Sequence, residues 1–153
     1  MIPSTVGRVP QHTAQDVNQR IYQQIEDNVA HYACAAPRAV DRRLAELDQE
    51  WDIERALEAN AAGASLLGLM LGATADRKWY MLSAIVGGFL LQHAVQGWCP
   101  PVVVFRRLGF RTAAEIDQER YALKALRGDF RNLDAGGGHD PQVVREALEA
   151  VRC

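Results

Sequence analysis

Residues 59–98 read ANAAGASLLGLMLGATADRKWYMLSAIVGGFLLQHAVQGW, and the only charges in that stretch are Asp76, Arg77 and Lys78. The run Ala59 to Ala75 is uncharged for about 17 residues, or roughly 26 Å of helix, the lower limit for crossing hydrocarbon. It is rich in Ala and Gly, with Leu66, Leu67, Leu69, Met70 and Leu71 as its strong apolar residues. Trp79-Tyr80 opens a second charge-free run that closes on Trp98, about 20 residues on and long enough to span. Trp and Tyr at both ends suit a membrane interface, where one side of the ring is apolar and the other wet. Pro100-Pro101 then ends the helix. This pattern predicts an all-α chain built on a two-helix transmembrane hairpin, residues 59–108, with Val102 to Leu108 along the interface or as a short extension.

The flanks are polar and predict helices of a different kind. Residues 1–13 are expected to be disordered or extended. Residues 14–58 predict an antiparallel helical hairpin on the cytoplasmic side. Its first helix, Ala14 to Ala33, is capped by Thr13 with Asp16 in the first turn. Val17, Ile21, Ile25, Val29 and Tyr32 form a narrow apolar stripe along it. Pro37 breaks the pattern, and Val40, Leu44, Leu47 and Trp51 make a heptad seam on the second helix. Residues 109–153 predict amphipathic helices. Thr112 and Glu115 have capping-box spacing, and Ile116, Leu123, Leu126 and Phe130 form an apolar side ringed by Arg120, Lys124, Arg127 and Arg131. Such a helix lies on an anionic bilayer surface or packs on the N-terminal hairpin. Gly136-Gly137-Gly138 reads as a flexible joint before a last helix that starts at Asp140-Pro141.

The chain has 153 residues, 17 Lys and Arg against 19 Asp and Glu, and a net charge of −2, which gives no basis for a nucleic-acid surface. Three cysteines, Cys34, Cys99 and Cys153, share no CxxC-type spacing and read as reduced thiols. Met1 to Gln24 lacks an apolar signal core, so insertion falls to the internal segment. Arg38, Arg42, Arg43 and Arg55 precede that segment and Arg106, Arg107 and Arg111 follow it, against Arg77 and Lys78 in the connecting loop. The positive-inside bias puts both termini in the cytoplasm.

The turn Gly97-Trp98-Cys99-Pro100 after the second apolar segment, followed by Leu108-Gly109, resembles the transmembrane domain of the YgaP-like bacterial inner-membrane proteins. Arg111-Thr112 with Glu115-Ile116, and the run Tyr121 to Phe130, resemble a subset of that family with extra polar helices. The likeness covers about half the chain, Trp51 to Phe130, and implies an inner-membrane hairpin that associates through its membrane helices. The rhodanese domain fused to the hairpin in the family's namesake has no counterpart here, so sulfurtransferase activity does not follow.

Gly68 and Gly72 form a GxxxG pair, and Ser83 with Gly87 and Ala84 with Gly88 give small faces on the second segment. Small faces let helix backbones approach in lipid, so Gly68, Gly72, Ser83, Gly87 and Gly88 are the expected packing positions, within one chain or between copies. Gln92, His93 and Gln96 are polar groups inside the second segment and candidates for function. They hydrogen-bond across helices, sit near the interface as the segment ends, or line a path for a proton or small anion. Cys99 is the remaining candidate, expected near the water boundary. It is read as a structural thiol, the alternative being a thiolate offered to haem iron. His12, His31 and His139 show no ligand spacing, and no catalytic arrangement or phosphate loop is visible. The sequence thus predicts no enzyme, no metal and no cofactor. It predicts a multi-pass inner-membrane protein in contact with the lipid bilayer, a self-associating scaffold (homo-oligomer) or a module recruiting a protein partner through its cytoplasmic helices. The alternative is a soluble all-helical oligomeric bundle with the apolar segments buried.

Overall fold

The computed structural model describes residues 7–131 and 141–152, and every described element is helical. In chain order the helices are α1 (Arg8–Gln11), α2 (Gln15–Ala33), α3 (Pro37–Gln49), α4 (Ile53–Thr74), α5 (Tyr80–Gln96), α6 (Pro100–Arg107), α7 (Ala113–Arg127) and α8 (Pro141–Arg152). The chain divides into two compact units, Met1–Tyr22 with Trp51–Ala114 and Gln23–Glu50 with Glu115–Cys153. This partition differs from the sequence-based one, which cut the chain into consecutive blocks at 13, 58 and 108. The Gly136–Gly138 joint lies outside the described residues.

The first unit is built on the α4–α5 hairpin. Asp52 starts α4 by accepting a hydrogen bond from the Arg55 backbone N–H at 2.7 Å, and Ile53 donates its N–H to the Arg111 carbonyl at 2.8 Å. A side-chain acceptor at this position satisfies a donor the helix itself cannot. The connection is one tight turn, Arg77–Trp79, entered through Asp76, whose carboxylate accepts from Lys78 N–H at 2.9 Å. Aliphatic core is confined to one end of the hairpin, where Val9, Ile53, Leu57, Cys99 and Val102 are buried together with Phe105 and Phe110 against them. The two rings meet edge to face at 5.1 Å. Beyond Leu57, α4 buries only Gly68 and Gly72, and α5 buries no residue at all. The large side chains point the other way: Leu66, Leu67, Met70, Met81, Leu91 and Val95 are each more than half exposed.

Three expectations in this unit are corrected. Residues 8–11, expected to be extended or disordered, form a helical turn. Thr13 does not cap α2; its hydroxyl donates to the Val9 carbonyl at 2.6 Å and accepts from Arg106 Nε at 3.2 Å, so it closes α1 instead. Arg106, counted in the sequence only as a cytoplasmic charge, is 1% exposed. Its guanidinium also donates to the Phe110 carbonyl at 3.2 Å and to Asn18 Oδ1 at 2.8 Å, tying α6 to the start of α2. α6 buries Val102 and Arg106 in this core, while Val104 and Leu108 on the same segment are exposed.

The second unit packs residues of α2 from Gln23 onward with α3, α7 and α8. Val40, Leu44 and Leu47 meet Ile116 and Leu123, with Val29 and Tyr32 against them. Of the apolar side of the basic amphipathic helix, Ile116 and Leu123 pack in this core, while Leu126 stays half exposed. Trp51, assigned to the α3 seam, lies past the end of that helix and is exposed, with Arg55 stacked 4.5 Å over its ring. Charged side chains close the unit. Glu119 is fully buried and accepts from Arg43 Nε at 2.8 Å and from Asn28 Nδ2 at 3.3 Å. Arg120 donates to the Leu47 carbonyl at the end of α3, and Arg127 bridges Asp41 and Asp129 at 2.7 and 2.5 Å.

Hydrogen bonds from Arg127 hold the Asp129 carboxyl below its ordinary value of 3.8, with burial opposing them. A depressed folded value means the charged form stabilises the fold above about pH 4, and that gain drains away as pH falls through the depressed value. Asp129→Asn should cost at most about 1 kcal/mol at pH 7. The gap from wild type, read by denaturant melts, should stay constant between about pH 5 and 8 and close below about pH 4.

Candidate functional site

Two features of the hairpin stand out as a candidate site: the small-residue seam between α4 and α5, and a cavity at its lower end. Both belong to the first unit.

At the seam, a methyl group on Gly68 would sit 2.6 Å from Ser83 Oγ and 3.1 Å from both the Ser83 nitrogen and the Trp79 carbonyl. One on Gly72 would press into the Tyr80 ring at 2.6 Å. Ser83 Oγ donates to the Ser65 carbonyl at 2.8 Å, so its hydroxyl is satisfied across the helix pair. Gly68, Gly72 and Ser83 thus let two backbones meet within one chain, as small residues do in membrane hairpins. Gly87 and Gly88 do not take part: nothing lies within 4 Å of where their side chains would begin. The expected five-residue packing set splits into three that hold the hairpin and two that face outward.

The lower end of α5 is fixed from the N-terminal side. Gly97 adopts φ +71° as the cap and donates to the His93 carbonyl at 2.7 Å. The left-handed turn suits glycine, and a side chain there would strike Arg8 Cβ at 2.5 Å. Arg8 itself hydrogen-bonds the Val95 carbonyl, placing a cation at the negative end of the α5 dipole. This clamp is invisible in the sequence, where Arg8 is one arginine in a polar tail.

Beside the clamp lies a cavity of about 80 Å³ walled by α4, α5 and the start of α6. Its lining is mostly carbon, from Leu57, Ala64, Val86, Phe89 and Leu90 among others, with Asn60, His93 and Cys99 as the polar side chains. His93 Nδ1 is buried and has no hydrogen-bond partner among the described residues. Of the polar trio singled out in the sequence, only His93 reaches this space; Gln92 and Gln96 are not in its wall, and Gln96 is exposed. The three do not form one polar line. Cys99, expected near water, is 3% exposed among Val9, Ile53, Leu57 and Val102. Burial in aliphatic surroundings without an activating cation marks a structural thiol. Asn60, passed over in the sequence as part of an Ala-rich run, is the residue that sequence reasoning missed; only the packing of α4 on α5 turns it to the cavity.

Among the described residues no group of three or more His, Cys, Asp and Glu could hold a metal ion. Among the described residues one helical stretch, Pro37–Thr74, is long and apolar enough to cross a membrane, and α5 has 17 residues. No family model, curated protein or solved structure matches this chain.

Proposed function

We propose that this protein is a membrane-anchored helical scaffold: α4 and α5 enter a bilayer as a hairpin, both ends face the cytoplasm, and the second unit is held at the membrane to meet its partner. The observation that carries the reading is the inverted packing of the hairpin. Its contact seam is Gly68, Gly72 and Ser83, while its outer surface is Leu, Met, Ile, Phe and Val. In water an exposed apolar surface of this extent would drive association, since monomeric soluble proteins rarely expose contiguous apolar patches beyond a few hundred Å². In lipid the same surface costs nothing, and small residues at the seam are what holds two helices together. Trp79 and Tyr80 at the hairpin turn are exposed, as interfacial aromatics are.

α5 spans about 26 Å, a little short of a typical hydrocarbon core, and the turn residues Arg77 and Lys78 are long enough to reach headgroups from that depth. The outward face carrying Gly87 and Gly88 is the natural contact between copies, which makes the hairpin self-associating. A bacterial inner-membrane location rests on the likeness of the Gly97–Pro100 turn to the YgaP-like hairpins and on the cytoplasmic arginines.

Alkaline carbonate washing of membranes carrying the full chain tests the reading. An integral hairpin stays in the pellet. Quantitative release into the supernatant as a detergent-free particle would overturn it in favour of a soluble oligomeric bundle, in which other copies cover the same apolar surface.

A further inference from the structure

Outside the hairpin, α6 carries a second surface that water does not suit. We propose that its outward face lies on the cytoplasmic leaflet of the bilayer, with Val103, Val104 and Leu108 at the boundary between headgroups and acyl chains and Arg107 against the lipid phosphates. This contact rests on the hairpin reading and adds to it the headgroup chemistry that meets the protein.

Helical spacing separates the two sides of α6. Val102 and Arg106, one turn apart, are buried in the core. Pro100, Val103, Val104, Arg107 and Leu108 recur at steps of three and four on the other side. All five are exposed, Val104 and Leu108 by more than half. The depth of this face is set at two places. Only Gly97, Trp98 and Cys99 separate α6 from the end of α5, so its start lies within about 14 Å of Gln96. Val102 packs with Ile53 and Leu57, which belong to the first turns of α4. α6 therefore sits at the end of the hairpin opposite its turn, level with Glu54, Arg55 and Glu58, before the apolar run of α4 begins. Trp51 is exposed beside the start of α4, an aromatic ring placed as at a membrane boundary. Charge fits the same partner. No Asp or Glu occurs between Arg77 and Ala114, so nothing on α6 repels a phosphate, and exposed Arg107 stands next to Leu108. A second copy of α6 would bring another cation to this face and no acid to offset it. Eight residues are a short grip on a bilayer, but joined to an inserted hairpin they act at a high effective concentration.

The test uses the full chain reconstituted in vesicles of phosphatidylethanolamine and phosphatidylglycerol. After Cys34→Ser, Cys99→Ala and Cys153→Ser, a fluorophore is attached at Val104→Cys, at Leu108→Cys or, within the hairpin, at Leu67→Cys. The lipids carry a nitroxide quencher either just below the headgroups or at the chain ends. The apolar face of a surface helix sits about 5–10 Å into the boundary, so at 104 and 108 the shallow quencher should act about twofold more strongly than the deep one. At 67 the order reverses. Arg107→Glu weakens the shallow quenching at 104, and Arg107→Lys keeps it. Deep quenching at 67 with none at 104 or 108 overturns the proposal and leaves the hairpin reading intact. Energy transfer between labelled copies at 104, without quenching by lipid, also overturns it and gives the face to a second copy. Shallow quenching that is unchanged in Arg107→Glu overturns the phosphate contact. Quenching at 104 and 108 but not at 67 keeps the surface contact and removes the hairpin reading alone, whereas no quenching at any position removes both.

Discussion

Gly68→Leu unseats α5 from α4. The first carbon alone meets Ser83 Oγ at 2.6 Å and two backbone atoms at 3.1 Å. The hydroxyl can rotate away only by giving up its bond to the Ser65 carbonyl, and the backbone atoms cannot move without separating the helices. Three further carbons have no room. Overpacking costs about 1–3 kcal/mol, and contact with backbone atoms puts this site at the upper end. The variant should lose the cooperative denaturation of the hairpin, followed by helicity against a denaturing detergent. Gly87→Leu is the matched control: with nothing of its own chain within 4 Å of the added carbon, the hairpin diluted in detergent until copies are apart should melt as the wild type does. If both variants behave alike, the seam assignment is wrong.

The second large effect lies in the other unit. Arg43→Met removes the guanidinium that donates to the fully buried Glu119 carboxylate at 2.8 Å. Burial pulls the Arg43 charge down, but the hydrogen bonds to Glu119 and Glu46 outweigh it and raise it overall. Asn28, at 3.3 Å, is a neutral donor and does not replace the lost charge. Removing one partner of a buried ion pair costs about 3–5 kcal/mol. Chemical denaturation of Arg43→Met should show a loss of that size, and adding Glu119→Gln should recover a large part of it, because the amide keeps the shape and drops the charge. A loss below about 1 kcal/mol, the size of an ordinary exposed ion pair, would mean that water or another donor compensates Glu119.

The residues differ in how plainly they announced these roles. The helical class was legible because apolar positions recur every three or four residues in α2, α3 and α7, and because Pro37, Gly97 and Pro100 punctuate them. GxxxG at Gly68 and Gly72 was legible for the same kind of reason: spacing on one helix is a local property. Which face of α5 met that pair was not, since Ser83, Gly87 and Gly88 are equally small and only the register of the turn decides among them. The buried charges were hidden more deeply. Arg8 and Glu119 sit in segments whose composition is that of a solvated surface, Arg106 follows a short apolar run, and each has a partner dozens of residues away. Pairing across such distances leaves no period in the sequence. The two-unit division escaped for a related reason, because α2 and α7 each contribute to both units, so no linker marks the boundary.

What most directly tests the account is whether the outer surface of α4 and α5 touches lipid. Leu67 and Leu91, 53% and 67% exposed, are replaced one at a time by cysteine in a chain whose own cysteines have been removed by Cys34→Ser, Cys99→Ala and Cys153→Ser. Each variant is then treated in sealed vesicles with a membrane-impermeant maleimide from either side. The hairpin reading predicts no labelling at either position until the bilayer is dissolved, with Lys78→Cys in the turn labelled readily as the positive control. Rapid labelling at 67 and 91 in intact vesicles would contradict it.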